Sequence, residues 1–194
     1  MKIHYLTTND LKFATAQNYF ASLEGYELVR QSIEVPEIQH TSCEEIARQS
    51  AIYGAKLLGH PCIKMDAGFF ISALNGFPGP FVKYVNDWLA EEEYLTLLAN
   101  KNDRGAYFLD ATAIGFPDGS SEVFTRQFKG RVAERDNYIP TKWPANSLFI
   151  PDGHKTPLGM WSTAEQEKYW YGGVWPQVVS YLKMHSSIDD THAR

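Results

Sequence analysis

The sequence lacks the features of several specialised classes of protein. No apolar run approaches the ~20 residues that a membrane-spanning helix needs, so we expect no membrane partner. The first ten residues, MKIHYLTTND, lack the pattern of a secretory signal peptide. The chain has 2 cysteines, Cys43 and Cys62, without metal-type spacing; both lie in apolar-patterned segments and favour buried free thiols and a reducing compartment. A cytoplasmic protein is the default expectation.

Basic charge is also scarce. The 18 Lys and Arg residues are outnumbered by 23 Asp and Glu residues, which gives a net charge of -5. Because a general binder of the nucleic-acid backbone needs a basic face, we expect no nucleic-acid partner. A small anionic ligand held by a few local lysines is compatible with this balance. Repeats, linkers and low-complexity segments are absent, so residues 1–185 are predicted to form one domain, followed by a polar, flexible tail over residues 186–194.

The chain is rich in apolar and aromatic residues, with 44% hydrophobic and 14% aromatic residues, enough for a large core. Strands and helices alternate at first, and a long hairpin follows around a Pro/Asp/Gly turn, which predicts an α/β domain with a mixed sheet. The predicted strands cover residues 3–6, 26–31, 104–114 and 121–131, with a short strand starting at residue 62 and ending at Asp66. The predicted helices cover residues 10–23, 43–58, 81–89, 91–98, 164–169 and 177–183. The intervening segment 142–153 is predicted as a loop, a short strand and a loop, and the acidic run 91–93 as a solvated helix start.

A strand-to-helix turn runs from Thr7 through Thr8 and Asn9 to Lys12. The backbone N–H groups at a helix start are unpaired, and the helix dipole favours an anion there. Lys12, on the first helical turn, adds a positive charge, so a phosphate group is the natural ligand. The alternative is an ordinary capped helix whose lysine is solvated.

Two carboxylates and a second lysine lie on connections near this turn in the predicted topology. Asp66 precedes a small pair of residues and a Gly/Pro loop over residues 75–80, Glu37 lies on an extended segment, and Lys83 follows the loop. Two acids with lysines around a phosphate suit magnesium-assisted phosphoryl chemistry, and a carboxylate can orient or deprotonate the attacking water. The alternative for Asp66 is a turn cap.

Together these segments resemble the inosine triphosphate pyrophosphatase family. The resemblance covers about residues 2–183 and rests on the following motifs: Thr7-x-Asn9-x-x-Lys12, PEIQ at 36–39, Glu45-Ile46, Asp66 followed by ALNGFPGPFVKY at 73–84, FKG at 128–130, and Phe149-x-Pro151-Asp152-Gly153. It implies an elongated mixed, twisted sheet flanked by helices, with two lobes and a central cleft. It also implies a homodimer that uses Mg²⁺ to hydrolyse a nucleoside triphosphate to the monophosphate and pyrophosphate.

The resemblance also implies roles for individual residues. Residues 7–12 would hold phosphates, Glu37 would bind the metal, and Asp66 would bind the metal or act as the base, with Lys12 as a second catalytic residue. The remaining implied substrate-binding residues are Lys83 at the phosphates or the catalytic carboxylate, Trp143 stacked on the base, Asn146 where the family has Asp, and Lys168 in place of an upstream lysine.

Several positions depart from the family pattern. Met65 and Ala67 replace polar neighbours of Asp66, Ser50 replaces a lysine, and residues 169–171 replace a Ser-His-Arg segment that contacts the purine 6-oxo group. The phosphate end is therefore kept and the base end is replaced, with aromatic side chains that either stack on a base or fill the core.

Three hypotheses follow from these departures. The first is an Mg²⁺-dependent pyrophosphatase whose base preference is altered from inosine and xanthosine. The second is a catalytically weak or inactive member that binds a nucleotide or a protein. The third is unchanged activity on inosine and xanthosine triphosphates.

Overall fold

The computed structural model describes residues 1–189, with side chains described through His185. The end of the predicted tail, residues 190–194, lies outside the described residues. The strands are β1 (Lys2–Leu6), β2 (Glu27–Gln31), β3 (Cys62–Ile71), β4 (Pro78–Gly79), β5 (Gly105–Gly115), β6 (Ser121–Val132) and β7 (Phe149–Pro151). The α-helices are α1 (Asp10–Phe20), α2 (Cys43–Leu58), α3 (Val82–Trp88), α4 (Glu91–Leu97), α5 (Pro144–Leu148), α6 (Thr163–Trp170) and α7 (Trp175–Asp189). No helix among residues 1–189 combines the length and apolar character of a membrane span.

All the described strands belong to one sheet of order β2-β1-β3-β5-β6-β7, with β4 paired to β3. β1 runs parallel to β2 and β3, whereas the β3–β5, β5–β6 and β6–β7 pairs are antiparallel. The prediction of an α/β fold with a mixed sheet flanked by helices is confirmed.

Local signals set the ends of the first two helices. The Asn9 side chain accepts a hydrogen bond from the Lys12 N–H at 2.9 Å and caps α1. The Ser42 side chain caps α2 in the same way, and Gly59 ends it in the left-handed conformation at φ 68°. These end signals agree with the predicted helix starts at residues 10 and 43 and the predicted helix end at residue 58.

Helices cover both faces of the sheet. On one face, α2 packs its small residues Cys43, Ala47 and Ala51 against Ala111 and Ala113 of β5. On the other face, α1 and α7 enclose a cluster that includes these apolar residues: Ile3, Tyr5, Ala16, Phe20, Ile63, Ile114, Trp175 and Val178. The two sides of β3 therefore face different surroundings, which separates the candidate functional groups described below.

Asp66 lies inside β3 and not at its end, so the prediction of a strand end at this residue is wrong. All ten residues of β3 pair with β5, and Asp66 lies opposite Ala111 in an uninterrupted antiparallel register. The ladder with β5 continues the strand past the carboxylate, which the local sequence does not indicate.

Three other expectations are corrected. The segment Pro144–Leu148, predicted as loop, forms the short helix α5, with its first residue a proline. Glu91, predicted to be solvated, is buried and accepts a hydrogen bond from the Thr141 N–H at 3.2 Å. The last helix is longer than predicted, because it begins at Trp175 and continues to Asp189.

Candidate active site

The edge of β3 carries a gap between two partner strands. The ladder with β1 ends at the pair Tyr5–Ile63, and the ladder with β4 starts at Phe69. Among the described strands, none pairs with residues 64–68 on that side. The parallel register of β1 directs its following turn, residues 7–9, towards this gap. Ligands of α/β proteins commonly bind at such places, where a strand ends and its neighbour continues.

The turn after β1 is held in place by Arg30 of β2. The Arg30 guanidinium donates hydrogen bonds to the backbone oxygens of Thr7, at 3.1 Å, and Thr8, and it pairs with Asp10 at 2.6 Å. These bonds occupy the carbonyl groups of the turn, while the first N–H groups of α1 have no partner within the helix. The start of α1 therefore keeps N–H groups that could bind an anion, with the exposed Lys12 beside them.

The Asp66 carboxyl group is buried with one oxygen unpaired. The Cys43 thiol and the Ala67 N–H both donate hydrogen bonds to it. Its Oδ2 atom is buried and has no hydrogen-bond partner among the described residues. The pKa of Asp66 is raised to about 6. Burial is the main cause and the Glu37 charge adds to it, while Cys43, Lys12 and the Ala67 N–H act in the opposite direction.

Glu37 lies near Asp66 because of an ion pair with β3. The Lys64 Nζ atom is 2.9 Å from Glu37 Oε1. Side chains alternate along a strand, so Lys64 and Asp66 point to the same face of β3. The buried Ser50 hydroxyl also contacts the Glu37 segment, because it donates to the Pro36 backbone oxygen at 3.4 Å.

These two carboxylates fit a divalent cation of the magnesium type. Asp66 supplies an orphaned buried oxygen, and Glu37 is close enough to act on its pKa. No group of three or more His, Cys, Asp or Glu side chains in the described part of the chain could hold a metal ion. The pair Asp66 and Glu37 matches Mg²⁺, because proteins often bind this ion with one or two carboxylates while substrate phosphates and water complete the coordination.

The opposite face of β3 borders a cavity of about 940 Å³. The predicted site residues that line it are Asn9, Lys12, Trp143, Asn146 and Lys168. A cavity of this volume accommodates a nucleotide-sized ligand. Trp143, 44% exposed, presents a large aromatic surface, with the Lys142 Nζ atom 5.5 Å from its ring centroid. The structure therefore brings part of the predicted phosphate-binding set and the predicted base-binding residues to one cavity, whereas Thr7 and Thr8 lie outside its lining.

Other predicted residues lie elsewhere. Lys83 is exposed on α3 and is absent from the lining of this cavity. Glu37 and Asp66 lie on the α2 side of β3. The Lys12 charge acts on both faces of the sheet, because it lowers the pKa of Asp66 on this side and of Asp110 on the cavity side.

Met65 and Ala67 line the cavity, on the face of β3 that is opposite to Asp66. The loss of polar groups at these two positions therefore changes the surface offered to a substrate and leaves the surroundings of the Asp66 carboxylate unchanged.

The aromatic run 169–171 divides between core and cavity. Trp170 packs on Phe108 and Phe128, at ring-centroid distances of 5.2 and 4.7 Å, and also borders the cavity. Tyr169 packs on Phe128 at 5.3 Å. Tyr171 is 53% exposed and lines the cavity. Tyr169 and Trp170 therefore pack in the core, and stacking on a base stays a prediction for the cavity-lining Trp170 and Tyr171.

Asp110 also lines the cavity, although no sequence motif indicates it. Asp110 lies opposite Ala67 in the β3–β5 register and opposite Arg126 in the β5–β6 register. Burial raises its pKa, while Lys12 and Arg126 act in the opposite direction. The sequence does indicate this residue indirectly, because Asp110 is the single acid in the apolar stretch 106–114 and buried carboxylates often serve a function.

Comparisons with known proteins agree with this geometry. A family model described as the Ham1 family matches residues 3–170. The chain belongs to the Ham1 family. A dITP/XTP pyrophosphatase from Methanopyrus kandleri is 36% identical over 168 residues, which are 87% of this chain and 88% of that protein. Another from Methanothermobacter marburgensis is 35% identical and covers 87% and 89% of the two chains.

Two solved structures have the same fold as this chain. The HAM1 protein from Coxiella burnetii aligns with a TM-score of 0.78 at 23% identity, over 95% of this chain and 99% of that one. The dITP/XTP pyrophosphatase from Mycobacterium abscessus aligns with a TM-score of 0.74 at 27% identity, over 94% and 97%. Membership of the inosine triphosphate pyrophosphatase family, predicted from the sequence motifs, is confirmed, and the predicted class of enzyme agrees with these relatives.

Proposed function

We propose that this protein is a nucleoside triphosphate pyrophosphatase, which hydrolyses an NTP or dNTP to the monophosphate and pyrophosphate. One observation carries the proposal: the gap in the sheet joins an anion-binding turn to a buried carboxylate with an unpaired oxygen. The curated relatives named as dITP/XTP pyrophosphatases support it.

The triphosphate binds at the turn formed by residues 7–12. The Thr8 N–H and the first N–H groups of α1 face the anion, since the N–H groups of Thr7 and Asn9 are bonded within the turn. Lys12 adds a cation for the phosphate charge. Arg30 keeps the carbonyl groups of Thr7 and Thr8 turned away from the anion. Lys83 lies outside the lining of the cavity, so we assign it a secondary role.

Asp66 acts on the attacking water. With a pKa of about 6, its carboxylate is mostly ionised at neutral pH and can accept a proton or a hydrogen bond from water. Burial raises the pKa of the Cys43 thiol well above its usual range, so this thiol stays protonated and remains a hydrogen-bond donor to Asp66. The thiol thereby orients the carboxylate.

Glu37 and Asp66 would together hold the magnesium ion. The ion, when bound, neutralises phosphate charge and polarises the phosphorus centre for attack. Its binding requires Glu37 to leave Lys64 or to share its carboxylate with it.

The base binds in the cavity beside Trp143. Stacking on the indole supplies apolar contact, while Asn146 and Lys168 supply polar contacts at the rim. The aromatic residues Trp170 and Tyr171 line the same cavity, where the family pattern has polar residues that contact a 6-oxo group. We therefore expect a base preference that differs from inosine and xanthosine.

The decisive experiment is a hydrolysis screen of the purified protein with ordinary, deaminated and modified triphosphates, in which pyrophosphate and phosphate are both measured. Pyrophosphate release that depends on Mg²⁺ supports the proposal. Nucleotide-induced thermal stabilisation without turnover of any triphosphate would replace it with a non-catalytic nucleotide-binding role.

We also propose that the protein is a cytoplasmic homodimer without nucleic-acid partners. The helix α3 supports the dimer, because it exposes Tyr84 and Trp88, whose rings stack at 6.2 Å and are 52% and 74% exposed. Light scattering after size-exclusion chromatography tests it. The wild type is expected to have the mass of two chains, and Trp88→Glu is expected to have the mass of one chain.

A further inference from the structure

We propose that Asp110 determines base specificity by accepting a hydrogen bond from an amino group of the base. The inference rests on the proposed function, because it concerns the same cavity. It predicts that bases with an exocyclic amino group are preferred over their oxo counterparts.

The strand register directs Asp110 into the cavity. Directly opposed residues of antiparallel strands point to the same face, so Asp110 shares a face with Ala67, and both line the cavity. The α6–α7 connection passes over this carboxylate closely, since a Cβ atom added to Gly173 would lie 3.4 Å from Asp110 Oδ2. The position is therefore enclosed by the fold and is open towards the ligand space.

The Asp110 carboxylate is not used by the protein itself. Among the described residues it makes no ion pair within 4.0 Å and no side-chain hydrogen bond. Its neighbour Arg126 is directed elsewhere, because it donates to the Gly173 backbone oxygen at 3.2 Å and lies 4.6 Å from the Phe128 ring centroid. Burial raises the pKa of Asp110, which means that ionisation of this carboxyl group destabilises the folded protein. An acceptor without an internal partner is available to a ligand.

Two further polar groups lie on the same side of the sheet. The Thr112 hydroxyl, two residues along β5, and the Tyr5 hydroxyl are buried and have no hydrogen-bond partner among the described residues. The pKa of Tyr5 is raised first by burial and then by the Asp110 charge, which places the two groups within electrostatic reach. Only Asp110 of these three groups lines the cavity, and the buried hydroxyls behind it have hydrogen-bonding capacity that bound water can complete.

The chemistry of a carboxylate fixes the direction of the preference. The charges of Lys12 and Arg126 oppose the effect of burial and favour the ionised form of Asp110. In that form the carboxylate only accepts hydrogen bonds, so it favours an amino group and opposes a carbonyl oxygen at the same position. Three pairs of triphosphates differ by an amino or an oxo group at one such position: GTP and XTP, ATP and ITP, and CTP and UTP. For the pair whose variable position faces Asp110, a preference of roughly 10- to 100-fold is expected from a hydrogen bond to a charged group.

The test measures kcat/KM for each pair with the wild type, Asp110→Asn and Asp110→Ala. The wild type is expected to prefer the amino member in at least one pair. In Asp110→Asn, which can donate to a carbonyl group, that preference should fall by at least 10-fold or reverse. The control, Asp118→Asn, changes an exposed carboxylate in the turn between β5 and β6 and should leave every ratio unchanged.

Binding separates this inference from the catalytic proposal. The same pairs are titrated against Asp66→Asn and Asp66→Asn/Asp110→Asn, with thermal stabilisation as the readout. If no triphosphate is hydrolysed but the amino member binds more tightly only when Asp110 is present, the catalytic proposal fails and this inference stands. Equal or tighter binding of the oxo member in all three pairs overturns the inference, as does an Asp110→Asn change that affects both members of every pair equally.

Discussion

The Lys64 ammonium lies 2.9 Å from the Glu37 carboxylate, on the face of β3 that also carries Asp66. This ion pair holds Glu37 beside the orphaned Asp66 oxygen, while a protein cation balances the negative charge. The proposed metal therefore competes with Lys64 for Glu37.

Removing the competing cation should strengthen metal binding. In Lys64→Met, the concentration of Mg²⁺ that gives half-maximal activity should fall several-fold, because Glu37 no longer has a competing partner. In Glu37→Gln it should rise by at least about 10-fold, since a hard cation loses a charged oxygen ligand. Activity as a function of Mg²⁺ concentration gives both values, and identical curves for the wild type and both variants would contradict the assigned metal ligands.

The hydrogen bond from Cys43 to Asp66 should support turnover more than binding. Cys43→Ala removes a neutral donor that orients the carboxylate, so kcat should fall about 2- to 10-fold while KM stays within about 2-fold. Cys43→Ser keeps a donor of similar size and should recover most of the lost kcat. The hypothesis fails if the alanine and serine variants have the same kcat.

Arg30 should be needed for the affinity of the triphosphate. Its guanidinium holds the backbone oxygens of Thr7 and Thr8, so Arg30→Ala should loosen the turn and raise KM roughly 10-fold or more. Arg135→Ala provides a control, because its ion pair with Glu92 lies on another part of the surface. Steady-state kinetics with the preferred triphosphate distinguish the two, and an unchanged KM in Arg30→Ala would contradict the role of the turn.

Asp110 should destabilise the ligand-free protein at neutral pH. Its pKa is raised by burial, so the ionised carboxylate is less stable in the folded chain than in the unfolded chain. This cost is present above the folded pKa and disappears as pH falls below the unfolded value of about 3.9. Asp110→Asn should therefore raise the melting temperature at pH 7.5, and the gain should shrink towards acidic pH.

Ionisation of the exposed Asp118 carboxylate should have the opposite effect on the stability of the folded protein. The pKa of Asp118 is lowered by its hydrogen bonds with Ser120, so its charge stabilises the folded protein above the unfolded pKa. Asp118→Asn should not raise the melting temperature at any pH. A melting temperature of Asp110→Asn equal to or below that of the wild type at pH 7.5 would contradict the unpaired state of Asp110.

The sequence predicted those parts of the fold that depend on nearby residues. The caps at Asn9 and Ser42 and the stop at Gly59 are local hydrogen-bond and backbone effects, and they fix the predicted helix starts at residues 10 and 43 and the predicted end at residue 58. The family motifs brought Lys12 and Trp143, which are far apart in the chain, to one predicted site, and the structure places both at one cavity.

The parts that the sequence did not predict depend on strand register. The end of the strand that carries Asp66 is set by ten pairings with β5, which no local signal encodes. Asp110 faces the cavity only because it is opposite Ala67, so its importance follows from the pairing of two strands that are separated by more than thirty residues. The alternation of side chains then assigns Met65 and Asp66 to opposite faces, although they are adjacent in the chain.

The central claim is tested most directly by the products formed by the wild type and by Asp66→Asn from a preferred triphosphate in the presence of Mg²⁺. We predict that the wild type releases one pyrophosphate for each monophosphate, without free phosphate. Asp66→Asn should still bind the triphosphate, as measured by thermal stabilisation, with a turnover at least about 100-fold lower. Release of free phosphate in place of pyrophosphate, or full turnover by Asp66→Asn, would contradict the account.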